Sequence, residues 1–304
     1  MKEIIIGENE KGQRLDRFLL KYLNNSSRAN IYKLLRKKVV KVNSKREKEN
    51  YFLQKDDKIQ IYLSDEAFNK LVKEESNEMV KDFNLDIVYE DNDILIVNKP
   101  KGLLTHPDKK EYKKTLATRV QSYLKHLQTH TFKPASVNRL DQNTSGLVIF
   151  CKTYESLKKY NEMMRDRDIK KYYLCIVHGK VSKEGEIKGY LSKNTKKNVV
   201  EIAKNNYNNK GQFIHTKYRS LECYGEFTLL EVEILTGRTH QIRASLSKIN
   251  HPIIGDTKYG GKKMKNITTQ VLHAYKLVID DKEFIKQSKE IERIIKILSI
   301  ESSK

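Results

Sequence analysis

Residues 136–150 read Ser-Val-Asn-Arg-Leu-Asp-Gln-Asn-Thr-Ser-Gly-Leu-Val-Ile-Phe, a polar, turn-forming stretch that closes on an unbroken apolar run. That succession predicts a polar turn feeding a buried strand, so the chain must build a sheet with other elements packed over it. Asp141 then stands at the mouth of the strand. Asp, Asn, Thr and Gly build turns and bond their own backbone, and on local chemistry alone a structural role for Asp141 is the more ordinary one. The alternative is an acid held rigidly where a substrate can meet it.

At 304 residues the chain exceeds the roughly 100–200 residues of a usual domain, which predicts two domains. Sixty Lys and Arg against 39 Asp and Glu give a formal charge of +21, with a sequence pI near 9.6. The expected partner is therefore a polyanion, nucleic acid before acidic membrane. No apolar run approaches the roughly 18 residues of a membrane span, and residues 1–11 lack the apolar middle of a signal peptide, so the expected location is the cytoplasm. Cys151, Cys175 and Cys223 are dispersed and the first two lie in strand-like segments, which predicts reduced thiols; no zinc spacing is present.

In chain order, a strand-like start at residues 4–6 precedes Leu15, Phe18, Leu19 and Tyr22 at helical spacing. Ser26 or Ser27 can cap a second helix carrying Ile31, Leu34 and Leu35, whose outer face bears Arg28, Lys33, Arg36 and Lys37. With strands at 39–42 and 58–63 and a basic turn at 43–48 between them, these form a small basic α+β module. Backbone contacts from such a surface give affinity and salt dependence, not sequence choice. Residues 64–84 turn acidic and polar without sustained periodicity and read as a linker. Beyond them, a β-hairpin at 87–97 runs into the rigid, basic loop Asn98-Lys99-Pro100-Lys101-Gly102. Helical spacing returns at 116–127, 157–164, 242–249 and 291–298, and strands are expected at 171–179, 228–234 and 273–279. Residues 189–211, rich in Lys and Asn, read as a flexible surface hairpin.

Several of these stretches carry motifs. Arg139, Leu140 and Asp141 with Thr144, Ser145 and Gly146 resemble the Arg-Leu-Asp-x-x-Thr-Ser-Gly signature of the RluA-type RNA pseudouridine synthases, departing at Asn138, where that family most often has His. Residues 98–102 resemble its Asn-Lys-Pro-x-Gly motif, and 171–179 its Lys-x-Tyr-x-Ala/Cys-x-Val-x-Gly pattern. Residues 238–243 match Arg-Thr-His-Gln-Ile-Arg, and 252–260 match Pro-Ile-x-Gly-Asp-x-x-Tyr-Gly. The N-terminal module resembles the RNA-binding domain first described in a small-subunit ribosomal protein. Motif order agrees over nearly the whole chain.

The resemblance implies an α+β fold, with a small N-terminal α+β RNA-binding domain (1–64), a linker (65–84), and a catalytic domain (85–304) built on a mixed, mainly antiparallel sheet with a central cleft. It implies Asp141 as the catalytic residue and Arg243 as its charged partner. Tyr173 would stack on the uracil or relay a proton, and strand register alone separates it from Tyr172. Arg139 would fill the stack left by an extruded base. RNA contacts are further expected from Arg28, Lys33, Arg36, Lys37, Lys99, Arg238 and His240.

The implied reaction isomerises uridine in RNA: the glycosidic bond breaks, the uracil turns, and it rejoins the sugar through a ring carbon, with neither cofactor nor metal. An Asp near its reference pKa of about 3.9 is ionised at neutral pH, and it can attack the sugar, attack the base, or remove a sugar proton. The residues leave all three open. Large-subunit (23S) ribosomal RNA is the expected substrate and a monomer the expected state. Two other readings compete. One is a ribosome-assembly factor that binds RNA and has lost turnover. The other is a carboxylate-based hydrolase, which normally needs a second acid; Asp256 is the nearest by motif, and its setting reads as a turn.

Overall fold

The computed structural model describes residues 1–304 except 74–83, 110, 195–198, 207–210, 265–266 and 303–304. The chain opens with β1 (Lys2–Ile5), α1 (Leu15–Tyr22), α2 (Arg28–Arg36), β2 (Val40–Val42) and β3 (Lys58–Ile61). Leu15, Phe18 and Leu19 recur on one side of α1, and Ile31, Leu34 and Leu35 on one side of α2, so both helices bury a stripe in a shared core with Val40, Val42, Ile59 and Ile61 of the sheet. The sheet is antiparallel in the order β1-β3-β2. Of the two cap candidates Ser27 is used, its Oγ accepting the Asn30 N–H at 3.2 Å; a cap of this kind contributes about 1 kcal/mol.

The expected linker does not begin at residue 65. Helix α3 (Asp65–Leu71), capped by Ser64, belongs to the N-terminal unit because Phe68, Leu71 and Val72 pack on that unit's core. Its acids, Asp65 and Glu66, fall in the first turn, where the helix dipole favours negative charge. Residues 74–83 of the expected linker lie outside the described residues.

The remaining elements are β4 (Ile87–Glu90), β5 (Ile94–Lys99), α4 (Leu116–Tyr123), β6 (Ala135–Ser136), β7 (Ser145–Cys151), α5 (Tyr154–Asp166) and β8 (Lys170–His178). After them come β9 (Gly185–Asn194), β10 (Val199–Ala203), β11 (Gln212–Tyr224), β12 (Phe227–Ile234), α6 (Gln241–Lys248), β13 (Leu272–Ile279), β14 (Lys282–Ile285) and α7 (Lys289–Ser302). They form one sheet in the order β10-β9-β11-β12-β8-β13-β7-β5-β4, with β14 added to β13 and β6 to β7. Among the described pairings of this sheet, β7 with β13 is the parallel one. The mixed, mainly antiparallel sheet that the family resemblance implies is thus present.

The unbroken apolar run of β7 has a direct cause, since both of its faces are covered. Val148 and Phe150 join the core shared with α4 and α7, while Leu147 and Ile149 join the core on the other face with Tyr160 of α5. Gly146 sits where β7 meets β13. Its φ is +118°, and a Cβ there would lie 2.2 Å from the Ala274 carbonyl oxygen. Gly146→Ala is therefore expected to lower the unfolding free energy by about 3 kcal/mol, read as a lower denaturant midpoint at unchanged m-value.

The stretch expected as a flexible surface hairpin is a hairpin, β9–β10, but one face is packed. Leu191 and Val200 bury against Ala244 of α6 and Tyr259. The long strand β11 was not legible, because its alternation is interrupted by exposed and half-buried polar residues. The N-terminal unit touches the larger one through Asn9, whose side-chain amide donates to the Leu127 carbonyl at 3.1 Å, and through Tyr22, edge-on to His130.

Candidate active site

A cleft of about 280 Å³ is lined by the turn before β7, by β8, and by the loop and first turn leading into α6. Its volume lies near the lower end for small-molecule sites, roughly 300 Å³. Asp141 is in the turn before β7, partly exposed to the cleft.

That turn is fixed from several sides. The Thr105 hydroxyl donates to the Leu140 carbonyl at 2.9 Å, and the Gly102 N–H donates to the Gln142 carbonyl at 2.9 Å. Asn138, the departure from the usual His, is a clamp. Its amide nitrogen donates to the Leu147 carbonyl at 3.2 Å and its amide oxygen accepts the Ile149 N–H at 2.8 Å, tying the segment to β7.

Lys99, expected to contact RNA, is instead fully buried beneath the turn. Its ammonium donates to the carbonyls of Pro100, Leu103 and Gln142 at 3.0, 2.7 and 2.9 Å, so every N–H is committed and none can reach a phosphate. Burial pulls its pKa down to about 7, with Asp141 pulling it back up. Lys99→Met would take the donor from the Pro100 and Leu103 carbonyls and leave the Gln142 carbonyl with the Gly102 N–H alone. The expected cost is about 2–4 kcal/mol in denaturant unfolding, with a loss of turnover as the Asp141 turn loosens.

Arg243 projects from α6 into the same place. Its Nη1 donates to Asp141 Oδ2 at 3.2 Å, while Nε and Nη2 grip Asp256 Oδ2 and Oδ1 at 2.7 and 2.8 Å. Asp256 therefore does more than build a turn. It is a buried carboxylate that aims the guanidinium at Asp141, a role its Gly-Asp setting did not disclose. Burial opposes the charge on Arg243, and the two acids, Asp256 foremost, outweigh it, so the pKa is raised. Tyr259 supports the arrangement, its ring 4.9 Å from the guanidinium carbon.

Gln241 staples the loop before α6. Its Oε1 accepts from the Thr236 hydroxyl and the Arg238 N–H, and its Nε2 donates to Thr216 Oγ1 at 2.9 Å. His240 has a left-handed backbone, φ 55°, at the start of α6. Its Nε2 is 3.8 Å from Asp141 Oδ2.

Tyr173 lines the cleft, whereas Tyr172 projects to the other face of β8 under the Lys276 ammonium, which resolves the register question. Burial, and secondarily Asp141, raise the Tyr173 pKa, so the ring enters the cleft as a neutral phenol. Lys171, on the same side of β8, also lines the cleft and donates to the Ile169 carbonyl at 3.1 Å. Arg139 and Arg238 are exposed at its rim. Arg28, Lys33 and Arg36 lie apart from the cleft, exposed on α2, and Lys37 is exposed just past its end. Arg36 borders a groove of about 810 Å³ with Arg46, Lys48, Tyr32 and Tyr51. Among the described residues no group of acids, His and Cys could hold a metal, and no helix is long and apolar enough to cross a membrane.

Comparison with known proteins places the chain by family and fold. A family model described as RNA pseudouridylate synthase matches residues 93–248, and one described as S4 domain matches residues 13–59. The uncharacterized RNA pseudouridine synthase YlyB of Bacillus subtilis is 30% identical over 283 residues, covering 91% of this chain and 89% of that one. The ribosomal large subunit pseudouridine synthase C of Vibrio cholerae is 32% identical over 271 residues, covering 88% and 83%. In fold, the solved structure of human RNA pseudouridylate synthase domain containing 4 aligns with a TM-score of 0.58 at 19% identity, over 71% of this chain and 92% of that one.

Proposed function

The chain belongs to the RNA pseudouridylate synthase family, and we propose that Asp141 is the essential reacting group, acting on uridines extruded from large-subunit ribosomal RNA. The observation that carries this reading is the placement of Asp141 at the cleft, with Arg243 donating to it and Asp256 holding Arg243 from behind. A fixed cation beside the carboxylate keeps it ionised and aimed. In the reaction, the bond from the ribose C1′ to uracil N1 breaks, the base turns, and C1′ joins C5. The proton on C5 leaves and N1 gains one, so no mass changes.

The cleft volume supports base extrusion, since a stacked and paired uridine could not bring its sugar to Asp141. Tyr173 is assigned the flat contact with the uracil, Arg139 the vacated stack, and Arg238 the flanking backbone. The basic face of α2, within a unit we place at about residues 1–73, holds the RNA by its phosphates. Residues 85–304 carry the chemistry. A cytoplasmic monomer is part of the same proposal. The name of the Vibrio cholerae relative favours the large ribosomal subunit as substrate.

Asp256 also bears on the hydrolase reading, because both its oxygens are committed to Arg243 and it is not free to activate water. The test is RNA tritiated at uracil C5, transcribed as large-subunit, small-subunit and transfer RNA. Tritium release from the large-subunit RNA, equal to the pseudouridine formed and without free uracil, supports the proposal. Free uracil would replace isomerisation with hydrolysis, and release from transfer RNA alone would replace the substrate.

A further inference from the structure

We propose that His240 is a positioning residue: Tyr259 holds its proton on Nε2, turned toward Asp141, so that Oδ2 of the carboxylate is engaged by the protein and Oδ1 is the oxygen that meets the substrate. This rests on the reading of Asp141 as the reacting group. The Tyr259 hydroxyl accepts the Val200 N–H at 3.0 Å and lies 2.9 Å from His240 Nδ1. That hydroxyl has one hydrogen to give, and among the described residues the acceptor within reach is Nδ1; the bond is assigned in that direction. A neutral imidazole that accepts at Nδ1 carries its proton on Nε2.

The ring stands nearly perpendicular to that of Tyr259, 82° between planes, which sets its direction. Nε2 lies 3.8 Å from Oδ2, a charge contact longer than a hydrogen bond, and Oδ2 is the oxygen that takes the Arg243 hydrogen bond at 3.2 Å. Among the described residues nothing bonds Oδ1. The left-handed backbone of His240 has a use in this arrangement. The side chain makes no cap bond at the helix start and turns inward, a strained conformation of the kind found where function requires it. Val200 belongs to β10, so the seating of the β9–β10 hairpin fixes the proton that faces Asp141.

The groups around the imidazole are Asp141 from the turn before β7, Arg243 from α6, and Asp256, Lys258 and Tyr259 from the segment that follows it. Burial lowers the His240 pKa, Asp141 opposes this, and Arg243 and Lys258 reinforce it, so the ring is neutral at pH 7. Protonation at lower pH puts a hydrogen on Nδ1, against the Tyr259 hydroxyl, and sets a positively charged ring 3.8 Å from Oδ2.

The test begins with nitrogen-15 NMR of histidine-labelled full-length protein, with the His240 signal identified by its loss in His240→Gln. The proton is expected on Nε2 in the wild type and divided between the two nitrogens in Tyr259→Phe. Single-turnover tritium release should fall about 100-fold in His240→Leu. It should stay within about fivefold in His240→Gln, whose amide N–H reaches the place of Nε2. RNA affinity should be equal in all. The wild-type rate should decline as the pH falls below the ordinary imidazole range, because burial lowers the His240 pKa, and that limb should be absent from His240→Gln. A proton on Nδ1 in the wild type, or equal loss in the Leu and Gln variants, would overturn the proposal. A wild type that binds RNA without reacting would bring down the functional reading, and the proposal with it, whatever the tautomer.

Discussion

Asp141→Asn is expected to bind RNA within about threefold of wild type and to form pseudouridine at least about 10⁴-fold more slowly. The substitution is close to isosteric, and the amide oxygen can still accept from Arg243 Nη1, so the turn and the cleft should keep their shape. What disappears is the negative charge, and each of the three roles open to Asp141 requires it. The bonds that hold the turn come from Lys99, Gly102, Thr105 and Asn138 and not from the Asp141 carboxylate, so stability should change little. Paired measurements of binding and single-turnover tritium release separate the outcomes. Lost binding would make Asp141 a structural residue, and retained turnover would remove it from the mechanism.

Arg243→Met is expected to damage both stability and turnover, for separable reasons. Asp256 is buried with its carboxylate fully paired to the guanidinium, and removing the cation strands that charge, at about 3–5 kcal/mol. Removing the Arg243 donor from Asp141 is expected to lower turnover about 10²–10³-fold. The double variant Arg243→Met with Asp256→Asn should recover most of the stability, since an amide is neutral, and none of the turnover. Arg243→Lys keeps a charge but cannot fork between two acids, so it should fall between the two in both measurements. Recovery of turnover in the double variant would show that Arg243 acts through folding alone.

The elements with a clean period were legible in the sequence. Helices α1 and α2, with their repeating Leu, Ile and Phe, and the unbroken run of β7 announce their own cores. Asp141, Tyr173 and Arg243 were found by motif, and the structure brings all three to one cleft. Less was legible where a residue acts through a partner distant in the chain. Lys99 looks like a surface cation until three carbonyls close over it, and Asp256 looks like a turn residue until Arg243 reaches it from the preceding helix. Polar composition misled at α3, where Phe68 and Leu71 are enough to dock an otherwise charged segment. The hairpin at β9–β10 gave no warning of the Val200 bond to Tyr259, because a backbone N–H leaves no mark in sequence.

The most direct measurement is a position-by-position map of pseudouridine along unmodified large-subunit ribosomal RNA after incubation with the purified chain, with Asp141→Asn run beside it. Pseudouridine is expected at discrete uridines with the wild type and nowhere with the variant. RNA bound by both proteins and modified by neither, with transfer RNA equally untouched, would contradict that expectation.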